Sequence, residues 1–234
     1  MLRAKIISGL LALLLSLVAA PARAQEQSAP ITHLPPQSEG SAAHTLDGVA
    51  ARIEDDVITE SELRELGAFQ QLVDGKAKSR SELIRMLADQ WIVSGEARTA
   101  QYQHPSQADV DRAYSLFISQ FKSPEEFRAR CAAASLSEPA IRRLLTQQMY
   151  LAHFIDFRFR PAAQISDQDV ETYYRTEFSP QLRSRGQEVP ALADVEDTIR
   201  EVLIQRAITE RATKWLDETR DRLRIDVVTE GGQP

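Results

Sequence analysis

The sequence predicts a mainly α-helical fold in which one small β-sheet ties the two ends of the chain together. Three observations predict it. Apolar residues recur at helical spacing in consecutive segments between residues 59 and 223. Most of these segments open on a Ser or Thr whose hydroxyl suits a helix N-cap. Strand-like alternation is confined to residues 48–58, ahead of the first helix, and to residues 224–228, behind the last.

Residues 1–24 read as an export signal. Arg3 and Lys5 precede an apolar run over residues 6–20, Ala22 and Ala24 supply the small residues of a cleavage site, and no acid interrupts them. The run is short of the ~20 residues that span a bilayer. Cleavage near Ala24 is therefore expected, leaving a chain that starts near Gln25 in a bacterial periplasm or outside the cell. No later stretch is apolar enough for stable membrane insertion. Residues 25–46, rich in Pro, Ser, Gln and Ala, read as a disordered leader.

Residues 47–178 read as an N-terminal helical domain. Val49 and Ile53 stand in a first strand, Asp55 and Asp56 in a turn, and Val57 and Ile58 in a short return strand. Thr59 and Glu62 form a capping box for the first helix, whose apolar face carries Leu63, Leu66, Phe69, Leu72 and Val73. A second helix starts at Ser79 or Ser81 and runs toward Tyr102, with Leu83, Ile84, Leu87 and Trp91 in its stripe; His104 and Pro105 end it. A third follows Ser106, carrying Val110, Tyr114, Phe117 and Phe121. Ser123 with Pro124, and Ser137 with Glu138 and Pro139, start the fourth and fifth, because Pro is tolerated in a first turn. The fifth runs to about Arg160. Ser166 opens a sixth, with Val170, Tyr173, Tyr174 and Phe178.

The fifth helix is apolar on two sides. Ile141, Leu144, Leu145, Leu151, Ala152, Ile155 and Phe159 share one broad face, and Tyr150, Phe154 and Phe157 form a second stripe roughly opposite. Such a helix is either sandwiched between two layers or lines an open groove. Residues 179–190 read as a polar linker. Residues 191–228 read as a long helix, to about Leu223, and a final strand. Early in that helix Leu192, Val195, Ile199, Val202 and Leu203 share one side; later Ile208, Trp215, Leu216 and Leu223 share another. One straight helix with two differently aimed stripes should touch two separate parts of the molecule. Ile225, Val227 and Val228 alternate with polar residues as a strand expected to pair with residues 49–53; residues 229–234 are a fraying tail.

Composition narrows the function. The net charge is −6, and losing the export signal removes three more cations, Arg3, Lys5 and Arg23, which argues against a nucleic-acid binder. The lone cysteine, Cys131, excludes an internal disulfide and reads as a small buried apolar residue. His33, His44, His104 and His153 are scattered, with no ligand at metal-binding spacing. No phosphate-cradling glycine loop or nucleophile elbow occurs. No catalytic residue, cofactor or metal is expected.

The order of these elements resembles the SurA family of periplasmic folding factors. The resemblance rests on three stretches. The first is the hairpin entry, with Val49, Ile53, Asp55, Val57, Ile58, Thr59 and Glu62. The second is the capped helices from Ser123, Ser137 and Ser166, the last carrying Tyr173 and Tyr174. The third is the long helix with Val195, Ile199, Trp215 and Leu216, followed by the closing strand. It implies a discontinuous chaperone core, in which the N-terminal helices are completed by the C-terminal helix and strand. Members usually carry parvulin-type prolyl isomerase domains before the last helix, where this chain has only the 12 residues from 179 to 190. The resemblance therefore implies a holding chaperone without isomerase activity, whose partners are unfolded or partly folded proteins, outer-membrane proteins foremost. Tyr150, Phe154, Phe157, Tyr173 and Tyr174 are the candidate client-binding residues. Two other readings compete: an isomerase by family inheritance, and an envelope interaction module that binds one folded partner or forms a homodimer.

Overall fold

The computed structural model describes residues 47–228. The expected export signal, leader and tail lie outside the described residues. Within them the fold is mainly helical, with one three-stranded antiparallel sheet. Strands β1 (Val49–Ile53) and β2 (Asp56–Thr59) form a hairpin turning at Glu54, whose φ is +51°. Helices α1 (Glu60–Asp74), α2 (Arg80–Thr99), α3 (Gln107–Ser119), α4 (Pro124–Ala133) and α5 (Glu138–Phe159) follow. A 3₁₀ turn, Arg160–Ala162, leads to α6 (Asp167–Tyr173). Long helix α8 (Leu192–Arg220) and strand β3 (Ile225–Val227) complete the order.

The helix starts are where the hydroxyls stand. Thr59, Ser79, Ser106, Ser123, Ser137 and Ser166 each accept a backbone N–H from the first turn of α1 to α6 in order. At Thr59, Ser79, Ser106 and Ser166 the acid three residues on reaches back to the cap's own N–H. Gly75 ends α1 in the left-handed region, φ +67°, where a side chain would strain the backbone.

The linker expected over residues 179–190 begins as helix. A π-helical turn, Tyr174–Phe178, carries α6 without interruption into α7 (Ser179–Ser184). Pro180 is no obstacle, because it sits in the first turn of α7, where a missing N–H costs little. Only the residues beyond Ser184 are irregular, and Gly186, at φ +68°, turns the chain back toward α8.

Strand order is β2-β1-β3. Ala51, Arg52 and Ile53 of β1 pair with Val227, Asp226 and Ile225 of β3, so the two ends of the described chain meet in one sheet. The hairpin pairs Ile58 with Ala51 and Val57 with Arg52, and a register shift follows Val49. Side chains of paired residues share a face. One face, with Ala51, Ile53 and Ile58, is buried under α1 and α2 together with Leu63, Leu66, Leu83 and Ile84. A second cluster joins Phe69, Leu72, Phe117, Phe127, Leu136, Ile141 and Leu145. Cys131 is buried in it, and that burial pushes its thiol pKa up. A third packs Ile92, Val93 and Ala97 of α2 against Tyr150, Leu151 and Phe154 of α5 and Leu216 of α8.

Helix α8 does serve two parts of the molecule. Its first half lies along α6: Arg200 donates to the Ile165 carbonyl at 3.0 Å and to Asp167 at 2.7 Å, and Arg206 pairs with Glu177 at 2.8 Å. Its second half lies along α2, where Leu216 enters the third cluster and Arg85 reaches Asp217 at 2.6 Å.

Candidate functional site

The five sequence-nominated residues do not form one groove. Tyr150 and Phe154 are core residues of the third cluster, Phe154 being only 1% exposed, so neither offers surface to a client. The reason is the position of α5, which packs against α2, α3 and α8 and is therefore covered on both apolar sides. Phe157 alone of that stripe is open, at 60%. Its ring lies 5.3 Å from Tyr102, which also meets the Phe154 edge at 5.5 Å. His104 stacks on Tyr150 at 4.1 Å, and the Tyr150 hydroxyl donates to the Tyr102 carbonyl at 3.3 Å. Burial raises the Tyr102 phenol pKa.

Tyr173 and Tyr174 hold the π turn in place. The Arg206 guanidinium sits over the Tyr173 ring at 4.6 Å. The Tyr174 hydroxyl donates to the Pro190 carbonyl at 2.6 Å, and its ring stacks on Phe178 at 5.9 Å. Both are half-buried. Their contacts explain them as anchors between α6, the irregular segment and α8.

An open concavity lies elsewhere, at the N-terminal end of α2. A hollow of about 960 Å³ is bounded by the first half of α2, the last turn of α8 and β3. Its apolar lining is Ile84, Ala88, Ile225 and Val227, of which Ile84 and Ala88 are themselves buried, Ile225 is half-buried and Val227 is exposed. Its rim is charged and internally braced. Arg80 grips both oxygens of Glu60, at 2.8 and 2.5 Å, and also donates to the Val228 carbonyl at 3.3 Å. These bonds hold the Glu60 carboxyl below the usual range. Asp217 accepts from Arg85 at 2.6 Å and from Arg220. Arg220 turns its Nε toward Asp89, 3.0 Å away, with no aligned hydrogen bond. Burial pushes the Asp89 carboxyl up to about 6, outweighing the attraction of Arg220 and Arg85. Beyond the rim Trp91 donates its indole N–H to Asp56 at 2.6 Å, fixing α2 to the hairpin.

Chemically this is a hollow with an apolar lining and a polar border braced by ion pairs. Among the described residues no group of three or more His, Cys, Asp or Glu is arranged to hold a metal ion, and no helix is long and apolar enough to cross a membrane. Sequence reading placed Ile84 on the apolar stripe of α2 but missed the hollow beside it. The hollow depends on partners such as Arg85 and Asp217, which lie 132 positions apart. No family model matches the chain, and no curated protein matches it.

Proposed function

We propose that this chain is an ATP-independent holding chaperone of the bacterial periplasm that binds unfolded envelope proteins, outer-membrane proteins in particular. The observation that carries the reading is the hollow of about 960 Å³, whose accessible apolar surface comes from Ile225 and Val227. A client side chain docked there gains ~25 cal/mol per Å² of apolar surface buried. Contacts that are individually shallow let the client leave without fuel. Phe157, exposed beside Tyr102, supplies a second apolar contact suited to aromatic-rich segments. The order of capped helices, long helix and closing strand, similar to the SurA family, supports the same reading.

Light scattering tests it. A chemically unfolded outer-membrane barrel protein is diluted into buffer with and without an equimolar amount of the chain, in the absence of nucleotide. Suppressed aggregation is expected; unchanged scattering at equimolar and at excess chain refutes the proposal.

A further inference from the structure

Resting on that holding reading, we propose that the outer edge of β3 takes up an extended client segment, alternating apolar and basic residues, as a fourth antiparallel strand. The row Ile58–Ala51–Val227 runs across β2, β1 and β3 on the helix-facing side of the sheet. Exposure along it is 6%, 0% and 52%. The first two residues are sealed by helices, while the third opens onto the hollow. The helix layer thus overhangs the sheet on the β3 side. A further strand, ~4.8 Å beyond β3, would close the gap and place its inward side chains beside Val227, Ile84 and Ala88.

The backbone is ready for such a strand. The Glu54 N–H donates to the Arg224 carbonyl at 3.0 Å, and the Val228 N–H donates to the Ala50 carbonyl at 3.0 Å. Even-numbered residues therefore turn their polar groups toward β1. By strand alternation, Ile225 and Val227 turn theirs outward, to an edge that no strand among the described residues occupies. Only an extended polypeptide matches that spacing of donors and acceptors. The sheet is antiparallel throughout, and antiparallel pairing is the stronger per residue.

Charge selects the alternation. The opposite face carries the row Val57–Arg52–Asp226. Asp226 ends that row at the free edge, where its ion pair with Arg224 is long, 3.9 Å. Lys or Arg on the incoming strand falls directly beside Asp226, the cross-strand position where opposite charges attract. Apolar residues pointing into the hollow and basic residues beside Asp226 define the occupant.

A dye-labelled peptide alternating Val and Lys, read by fluorescence anisotropy with the purified chain, tests the inference. In antiparallel register the Val residues direct their backbone N–H groups at β3 and the Lys residues direct theirs away. N-methylation of the Val amides should weaken binding about tenfold, and N-methylation of the Lys amides should leave it unchanged. Equal or reversed effects overturn the antiparallel strand, whatever any variant does to folding. Of the backbone hydrogen bonds Val227→Pro removes only an outward N–H, which edge strands tolerate, and it keeps an apolar side chain at the hollow. It should reproduce the tenfold loss with an unchanged circular-dichroism melt. Asp226→Lys should shift preference toward a peptide alternating Val and Glu; no shift overturns the charge argument. Aggregation assays on the same proteins separate this proposal from the reading beneath it. Wild-type suppression with full peptide binding by Val227→Pro overturns the strand and leaves the holding function intact, whereas no suppression by the wild-type chain removes both. A wild-type dimer in sedimentation that Val227→Pro dissolves assigns the edge to a second copy and overturns the client strand.

Discussion

The two ends of α2 are equally apolar and differ in what reaches them. Near its end, Ile92, Val93 and Ala97 are covered by Tyr150, Leu151 and Phe154 of α5 and by Leu216 of α8. Near its start, Ile84 and Ala88 are as deeply buried, at 4% and 0%, against the hairpin and α1, and the hollow opens beside them where the sheet ends at β3. Each half of the helix carries the stripe that a buried helix needs. The difference lies in the last element on each side, helices α5 and α8 at one end and the short edge strand β3 at the other, where Val227 stays 52% exposed. The aromatic end is core with one ring left over. The charged end leaves Val227 exposed beside a hollow.

The largest effect should come from breaking the sealed end. Phe154→Ala removes one of the most deeply buried side chains and leaves a cavity between α2 and α5. The expected cost is about 3–5 kcal/mol, read as a lower urea midpoint with the slope unchanged. A cost below about 1 kcal/mol would mean that this end can collapse around the gap, and that the two ends differ less than their cover implies.

The open end should show itself in pH dependence. Asp89 lies beneath the rim, with Arg220, Arg85 and Asp217 around it, and its carboxyl titrates near 6 against an ordinary 3.8. A raised carboxyl means that the folded chain holds this proton longer than the unfolded chain. This contribution is therefore fully favourable below about pH 4 and lost as pH rises through about 6. The loss is about 3 kcal/mol. Carboxyls held low by their hydrogen bonds, such as Asp109 bound by Ser106 and Asp169 bound by Ser166, act in the opposite sense. The comparison with Asp89→Asn isolates the one group. The difference between the two stability curves should slope between pH 4 and 6 and flatten above; a flat difference throughout would show that Asp89 ionises as it does in water.

What the sequence made legible follows the range of the interactions. Helix starts were readable because a Ser or Thr hydroxyl acts within three residues, as at Ser79 and Glu82. The pairing of the end strands was readable from the alternation of residues 225–228 and the hairpin pattern at residues 49–58. The double duty of α8 was readable because its apolar side rotates between Ile199 and Leu216. The helical continuation past Phe178 was not, since Pro180 and the Arg residues after it look the same in a linker as in a first helical turn. Nor was the hollow. The aromatic stripe of α5 suits core and groove alike, and only the placement of α2 and α8 on either side settled it for Tyr150 and Phe154.

Phe157 sharpens the comparison with the smallest expected change in stability. It lies on α5, three residues beyond Phe154, yet its ring is 60% exposed and touches Tyr102 and Phe154 only from outside. Little apolar area returns to water when it is cut back, so Phe157→Ala should shift stability by no more than about 0.5 kcal/mol. Its effect on client holding should be real but partial, because an exposed ring adds area without supplying backbone hydrogen bonds. Measured by light scattering beside Val227→Pro, it should leave the larger share of suppression in place. If Phe157→Ala instead abolishes suppression while Val227→Pro spares it, clients are held at the aromatic end of α2 and the hollow at its start is not where they bind.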